Sequence, residues 1–279
     1  MVPDGTETAL LRRIDQLEHE VRRLANAHTI YLGDHQALTR LHEGQRIYVD
    51  TRDVGIASHL MLEGRWEPWI EPVIRAAIQP GMTMADIGAN FGYYTLLASG
   101  WVGPSGRVLA VEANPHLFAL LQKSVAVNGY GLRTSLHNLA AHAETGELYL
   151  QFSHDYSGGG RVSDVGAAAA VRVPAAPLDL LLADWPALNV LKIDVEGAEP
   201  NVIAGARSVI GRSPELAIIM EIDGARDLGD LDHIGYLIAQ GFTLSAIEPA
   251  GVVHDLTLPE YMHRLHDGVG YALFKRPDK

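Results

Sequence analysis

The chain has 279 residues, 47% hydrophobic and 20% charged, which suits one large globular domain with a modest extension better than two full domains. It contains no cysteine, so disulfides, thiolate metal sites and a cysteine nucleophile are excluded. A formal net charge of -12 disfavours DNA or RNA as a partner, because nucleic-acid binders usually present a basic face.

The first residues, Met1-Val2-Pro3-Asp4-Gly5, lack a basic region followed by an apolar core. No apolar run approaches the roughly 18 residues of a membrane helix, so a soluble, cytoplasmic protein without membrane insertion is expected. Asp4-Gly5-Thr6-Glu7 resembles a capping box, and Leu10, Ile14, Leu17, Val21, Leu24, His28 and Tyr31 then follow at spacings of four and three. Arg12, Arg13, Arg22 and Arg23 interleave with Asp15, Glu18 and Glu20 on the other faces. This predicts an N-terminal helix within 1–44 that either pairs with a second copy as a short coiled coil or folds onto the domain behind it.

Residues 45–80 read as a lead-in, with a strand at 47–50 and a helix at 71–79 stopped by Pro80-Gly81. Between them, residues 63–69 place Trp66, Trp69, Glu63 and Glu67 within one short stretch. Such a segment suits either covering a ligand or, the commoner use of Trp, filling the joint with the core.

Within 81–279, strands are expected at 82–87, 107–112, 134–139, 190–195, 216–222, 242–247 and 271–275. Helices fill the first gaps, to residue 99 and over 115–128, and a hairpin turns near Thr145-Gly146. Such alternation predicts an α/β fold with a mainly parallel sheet covered by helices. The runs 157–160 and 166–170 punctuate a loop.

The stretch 84–95, Met-Ala-Asp-Ile-Gly-Ala-Asn-Phe-Gly-Tyr-Tyr-Thr, is an apolar strand entering a glycine-punctuated turn and a helix. Gly88 and Gly92 would let backbone approach a ligand closely, with the Asp86 carboxylate beside it. The nicotinamide fingerprint needs a glycine where Asn90 stands, so a pyrophosphate fits poorly. S-adenosylmethionine, which has no phosphate, fits the turn better.

Ligands of open α/β sheets bind beyond the carboxyl ends of the strands. Glu112 ends the second strand 24 residues after Gly88 and is expected to accept ribose hydroxyl hydrogen bonds, Asn114 being better placed to cap the helix that starts at Pro115. Residues 137–140 would lie beside the adenine, with Asn138 as its hydrogen-bonding partner. On the fourth strand Lys192, Asp194 and Glu196 alternate, and Glu199 follows. Three carboxylates so close suit a general base or a metal site; alternatively Lys192 pairs with one acid while Glu196 and Glu199 favour the next helix N-terminus.

Asp-Ile-Gly-Ala-Asn-Phe-Gly-Tyr-Tyr-Thr at 86–95, Val-Glu-Ala-Asn-Pro at 111–115, Leu-Lys-Ile-Asp-Val-Glu-Gly-Ala-Glu at 191–199 and Val-Ile-Ala-Gly-Ala at 202–206 together resemble the FkbM-type S-adenosylmethionine-dependent methyltransferases. Asp50, Asp53, Gly64 and Glu67 sit where that family carries a similar acidic lead-in. The resemblance implies a Rossmann-like class I methyltransferase fold, a mainly parallel seven-stranded sheet with the last strand antiparallel, here with an N-terminal helical extension. It also implies methylation of a hydroxyl oxygen on a sugar, glycan or polyketide-type metabolite. At Glu221-Ile222-Asp223 the sequence departs from it, since a histidine is expected at 223.

The cofactor residues expected are Glu67 in the lead-in, then Asp86, Gly88, Ala89, Asn90, Gly92 and Tyr93 in the turn. Glu112, Ala113 and Asn114 follow the second strand, Asn138 and Ala140 the third, and Asp194 the fourth. Asp194 is the leading candidate base and Glu196 the second, with His154 and His254 as weaker candidates among thirteen histidines. A divalent ion is not expected, although Asp194 and Glu196 could hold one, and loss of activity on chelation would promote it. The rival readings are an N-methyltransferase, which needs no strong base, and a non-catalytic dimeric scaffold that keeps the fold.

Overall fold

In the computed structural model, residues 29–153, 155–162, 170–224, 231–249, 251–265 and 268–277 are described, with Leu10, Arg13, Ile14 and Leu17 from the N-terminal segment and the backbone alone at 161–162. An antiparallel three-stranded sheet comes first, β1 (Ile30–Gly33), β2 (Gln36–Arg40) and β3 (Arg46–Asp50), followed by α1 (Ile56–Glu63) and α2 (Glu71–Ala77). The helix expected within 1–44 therefore ends before Ile30, and Tyr31, placed in its apolar stripe, lies in β1. The reason is local: Gly33, Asp34 and His35 all adopt positive φ and turn the chain into a hairpin that no helix can continue through. Leu10, Ile14 and Leu17 are helical and exposed; Arg12, Asp15, Glu18, Glu20, Val21, Arg22, Arg23, Leu24 and His28 lie outside the described residues.

The next elements are β4 (Thr83–Ile87), α3 (Tyr93–Trp101), β5 (Arg107–Val111), α4 (Pro115–Val127) and β6 (Thr134–His137). A small second sheet interrupts, made of β7 (Ala140–Ala141), β8 (Gly146–Gln151), β9 (Arg161–Val162) and β10 (Val171–Ala176). Then come α5 (Leu178–Leu181), β11 (Val190–Ile193), α6 (Glu199–Ala204), α7 (Arg207–Arg212), β12 (Ala217–Asp223), α8 (Asp232–Ala239), β13 (Thr243–Ile247), β14 (Val253–Asp255), α9 (Leu258–Leu265) and β15 (Val269–Lys275). The turn near Thr145-Gly146 does not make a two-stranded hairpin: β10 inserts between β7 and β8, parallel to the first and antiparallel to the second. Both strands find their partner about thirty residues downstream, a pairing that no local pattern announces.

The main sheet runs β14-β13-β15-β12-β11-β4-β5-β6. Strands β6, β5, β4, β11 and β12 are parallel, and β15 is antiparallel to both its neighbours. This is the expected seven-stranded class I sheet, with β14 added at one edge. Its central strands are apolar on both faces because both are covered: Met84 and Ile219 face one core with α3 and the lead-in, Ala85 and Ile218 the other with α6 and α7. The lead-in is not a separate body, since Leu41, Ile47, Val49, Leu60 and Ile74 share the first core. Its edge strand β3 is covered by α4, whose Ser124 Oγ and Asn128 Oδ1 accept the N–H groups of Tyr48 at 2.9 Å and Arg46 at 2.8 Å. Among the described residues no helix is long and apolar enough to cross a membrane.

Strand order reverses between β4 and β11, so the carboxyl ends of these two neighbours open one crevice. Ile87 pairs with Ile193, and the Asp194 N–H donates to the Ile87 carbonyl at 3.0 Å. Gly88 and Asp194 therefore face each other across the switch point.

Candidate functional site

The turn after β4 is tightly determined. Gly88, Asn90 and Gly92 have φ of +79°, +53° and +97°. A Cβ on Gly88 would stand 1.8 Å from the Asp194 carbonyl oxygen, and one on Gly92 would meet Leu121 Cδ1 at 2.4 Å. These glycines leave room for the chain just beyond β11 and for α4, and Gly88 also borders the crevice. Asn90 tolerates its left-handed conformation by accepting the Phe91 N–H on its own Oδ1 at 2.7 Å.

Glu112 lies just beyond β5 and is buried. Its Oε2 accepts the Asn90 N–H at 2.8 Å and its Oε1 the Asn114 N–H at 2.7 Å, so the side chain ties the first turn to the second. Burial raises its carboxyl to about 7 against the pull of those two hydrogen bonds. Asn114 caps α4, its Oδ1 accepting the His116 N–H at 2.9 Å with Pro115 in the first helical turn. Asn138 lies behind the cavity wall, its Nδ2 donating to the carbonyls of Glu112 at 2.8 Å and Ala113 at 3.2 Å.

At the far end of the crevice a polar chain, buried at one end and partly exposed at Glu67 and Asp194, runs through four elements. Asp86, 1% exposed, sits beneath the turn with Oδ2 accepting from Thr95 Oγ1 at 2.6 Å and Oδ1 4.0 Å from Lys192 Nζ. Burial raises its carboxyl above the usual range, opposed by the Lys192 charge. Lys192, 2% exposed on β11, donates to Asp194 Oδ2 at 3.0 Å and lies 5.1 Å from the centre of the Tyr94 ring. Burial alone would favour its neutral form, but the charges of Asp194, Asp86 and Glu67 outweigh that and hold it protonated. The Tyr271 hydroxyl, on β15, is 2.9 Å from both Asp194 Oδ2 and Glu67 Oε1. Tyr94 on α3 donates to Glu67 Oε2 at 3.1 Å. Burial, and then the Asp194 charge, raise the Glu67 carboxyl to about 7.

Beyond Asp194 the strand alternation fails. β11 ends at Ile193, Glu196 turns to φ +55°, and Glu199 joins the first turn of α6, where its Oε1 accepts the Val195 N–H at 3.2 Å. The three carboxylates expected from 194–199 are therefore not the three that meet. Asp194, Glu196 and Glu221 of β12 bring one oxygen each within 4.8 Å of one another. Of the histidines weighed as bases, His254 is exposed on β14 and His154 lies outside the described residues.

These groups surround a cavity of roughly 340 Å³. Glu67, Gly88, Ala89, Asn90, Tyr93, Glu112, Ala113, Asn114, Ala140, Asp194 and Glu196 line it, while Asp86, Gly92 and Asn138 do not. Trp66 both packs on the core and lines the cavity, whereas Trp69 packs on the core and is not part of the lining. Leu148, Leu150 and Phe152 of the small sheet and its continuation form one wall, and Tyr156 and Ser157 another. The second of these is clasped to the lead-in: Asp53 accepts the Ser157 N–H at 2.6 Å and the Ala57 N–H at 2.8 Å. Tyr94, Tyr271, Glu221 and the β8 wall were not among the expected site residues. Only Tyr94 had a local signal, being one residue past Tyr93 in the helix that follows the turn.

A sequence model of the methyltransferase FkbM domain matches residues 86–244, more than half of the chain. The chain belongs to the FkbM methyltransferases. Among solved structures, the FkbM methyltransferase from Methylobacillus flagellatus KT aligns with a TM-score of 0.47 at 18% identity, over 71% of this FkbM-family chain and 44% of that one. The O-methyltransferase from Bacillus cereus in complex with SAH aligns with a TM-score of 0.45 at 13% identity, over 99% and 93%. A stretch of 57 residues is 37% identical to the arsenite methyltransferase of Halobacterium salinarum, 20% of this chain and 15% of that protein. The chain thus spans less than half the length of the Methylobacillus and Halobacterium proteins.

Proposed function

We propose that this FkbM-family chain methylates a hydroxyl oxygen of a small molecule or glycan, of sugar or polyketide type, using S-adenosylmethionine and the Asp194 carboxylate as base. The observation that carries the reading is that Glu112 and Asp194, ends of adjoining parts of one parallel sheet, line the same cavity at the switch point. The residues fit the cofactor. Each Glu112 oxygen accepts one backbone N–H and keeps capacity for a further donor, which suits a vicinal pair of ribose hydroxyls. Leu139 and Ala140 give an apolar wall for the adenine beside Ala113 and Asn114, while Gly88, Ala89, Asn90 and Tyr93 line the approach to Glu67 and Asp194. Asp86, Gly92 and Asn138 support these groups from behind the wall. Bound there, S-adenosylmethionine supplies a sulfonium methyl group for in-line displacement.

Asp194 takes the proton of the acceptor hydroxyl, with Glu196 as second candidate, and the buried Lys192 keeps Asp194 in place. Trp66, Phe152 and Tyr156 offer aromatic surface to the acceptor.

Calorimetric titration with S-adenosylmethionine and S-adenosylhomocysteine tests the reading. Glu112→Ala should weaken both at least about tenfold, the loss of one charged hydrogen-bonding group. Failure of the wild type to bind either ligand at millimolar concentration would remove the methyltransferase reading and favour the scaffold. The exposed helical Leu10, Ile14 and Leu17 support pairing with a second copy through the N-terminal helix; a monomer by light scattering would sink that part.

A further inference from the structure

Three oxygens in the polar chain pose a problem of counting. Tyr271 Oη is 2.9 Å from Glu67 Oε1 and 2.9 Å from Asp194 Oδ2, both hydrogen-bonding distances. A hydroxyl has one proton, so it can donate to only one of two carboxylates. If both acids were ionised, the second contact would press two sets of lone pairs together in a partly buried site. The arrangement closes only when a second proton is present, and Glu67, raised to about 7, is where burial and the Asp194 charge would hold it.

Other groups also face Glu67. Tyr94 comes from α3, Lys192 from β11, Tyr271 from β15, Tyr156 from the wall above, and Glu221 reaches Tyr271 from β12. Lys192 is the only cation among these described neighbours, and its hydrogen bond goes to Asp194 rather than to Glu67. Of the two acids the Tyr94 hydroxyl bonds only to Glu67. Among the described residues, Tyr271 is the one whose hydroxyl lies within hydrogen-bonding distance of both.

We propose that Tyr271 is a proton relay that joins Asp194 to Glu67, so that Glu67 is the store for the proton leaving the acceptor. This rests on the reading of Asp194 as the base. The acceptor's proton forms an O–H bond with Asp194. Asp194 passes a proton to Tyr271 Oη as Tyr271 gives its own to Glu67. One O–H bond breaks at the acceptor, one forms and one breaks at Asp194 and at Tyr271, and one forms at Glu67, each oxygen keeping the electron pair of the bond it loses. Asp194 is thereby restored as a carboxylate, while the neutral tyrosine never ionises, in keeping with a hydroxyl whose deprotonation burial and the surrounding carboxylates strongly oppose.

The relay can be tested on the free protein, with no acceptor and no cofactor, so its failure is separate from failure of the methyltransferase reading. Glutamate carboxyl carbons are labelled with 13C and titrated by NMR, the Glu67 signal being the one absent from Glu67→Gln. In an otherwise wild-type background, Asp194→Asn should lower the Glu67 midpoint by about one unit or more, since a like charge is removed and the Tyr271 hydroxyl, no longer claimed by an ionised Asp194, is free to donate to Glu67. In a Tyr271→Phe background the same replacement should move it by less than half as much. Tyr94→Phe, which removes a hydroxyl bound to Glu67 but not to Asp194, should leave the full shift. Equal shifts with and without the Tyr271 hydroxyl would overturn the relay and reduce Tyr271 to part of the wall. A second reading needs no substitution at Tyr271: its ring Cζ resonance should titrate at the Glu67 midpoint in the wild type and be flat in Glu67→Gln, and a flat wild-type resonance would equally overturn it.

Discussion

Asp194→Asn should lower methyl transfer to a hydroxyl acceptor by about 10²–10⁴ while changing S-adenosylmethionine affinity only a few fold, the effect of losing a general base but not a binding site. The substitution keeps shape and can still accept from Lys192 and Tyr271, which both reach Oδ2. What it removes is the capacity to take a proton. Glu196→Gln should cost less, because Glu196 lies beyond the end of β11 in a left-handed turn while Asp194 is fixed by Lys192, Tyr271 and its own N–H bond to Ile87. Steady-state kinetics on the two variants decide the order. Turnover retained in Asp194→Asn with normal cofactor affinity would point to an amine acceptor. The pH profile carries a sign as well. With the Glu67 carboxyl raised to about 7, its store is filled below that pH and empty above it, so kcat should rise as pH passes about 7 and the rise should vanish in Glu67→Gln.

Gly88→Ala should be the most destabilising single change in the site. The residue combines φ +79° with a Cβ direction that ends 1.8 Å from the Asp194 carbonyl oxygen. Left-handed backbone strain and overpacking against another main chain together amount to about 3–5 kcal/mol. For a chain of this size the loss lowers Tm by roughly 6–15 °C. Gly103→Ala is the comparison, since Gly103 also has a positive φ, +67°, but nothing lies within 4 Å of its Cβ direction. It isolates the conformational cost alone. Equal Tm losses in the two variants would show that β4 and β11 are not in the close contact described.

What could be read from the sequence was what is local. The parallel strands announced themselves as short apolar runs, the turn at 86–95 by its glycines, and the cap at Asn114 by the proline behind it. Glu112 was legible because a strand end and an interval in sequence both point to it. The same logic misled beyond Asp194: period two was continued through Glu196, but the strand stops at Ile193 and the chain turns left-handed, so Glu199 falls in the first turn of α6 and Glu221 takes its place in the cluster. The heptad pattern was continued through Tyr31 in the same way, across a hairpin whose turn residues were the better signal. Tyr271 could not be found locally. It is 77 residues from Asp194 and 204 from Glu67, and the three meet only because β15 pairs with β12.

The position of β15 also bears on how the molecule assembles. It lies between β12 and β13, both of which precede it in the chain, so for each of them the neighbour on that side is made later than any other strand of this sheet. Until it emerges from the ribosome, β12 exposes an unpaired edge and β13 has only the three-residue β14 beside it. Strands β4, β5, β6, β11 and β12, by contrast, can pair in the order in which they are synthesised. Folding on the ribosome should therefore proceed in two stages, an early parallel half that contains Glu112 and Asp194 and a late closure that brings Tyr271 to them. The end of the cavity that holds Asp194 and Tyr271 is completed after the rest of the sheet, and until then the open edge of β12 is the place where a nascent chain is most exposed to pairing with the wrong strand.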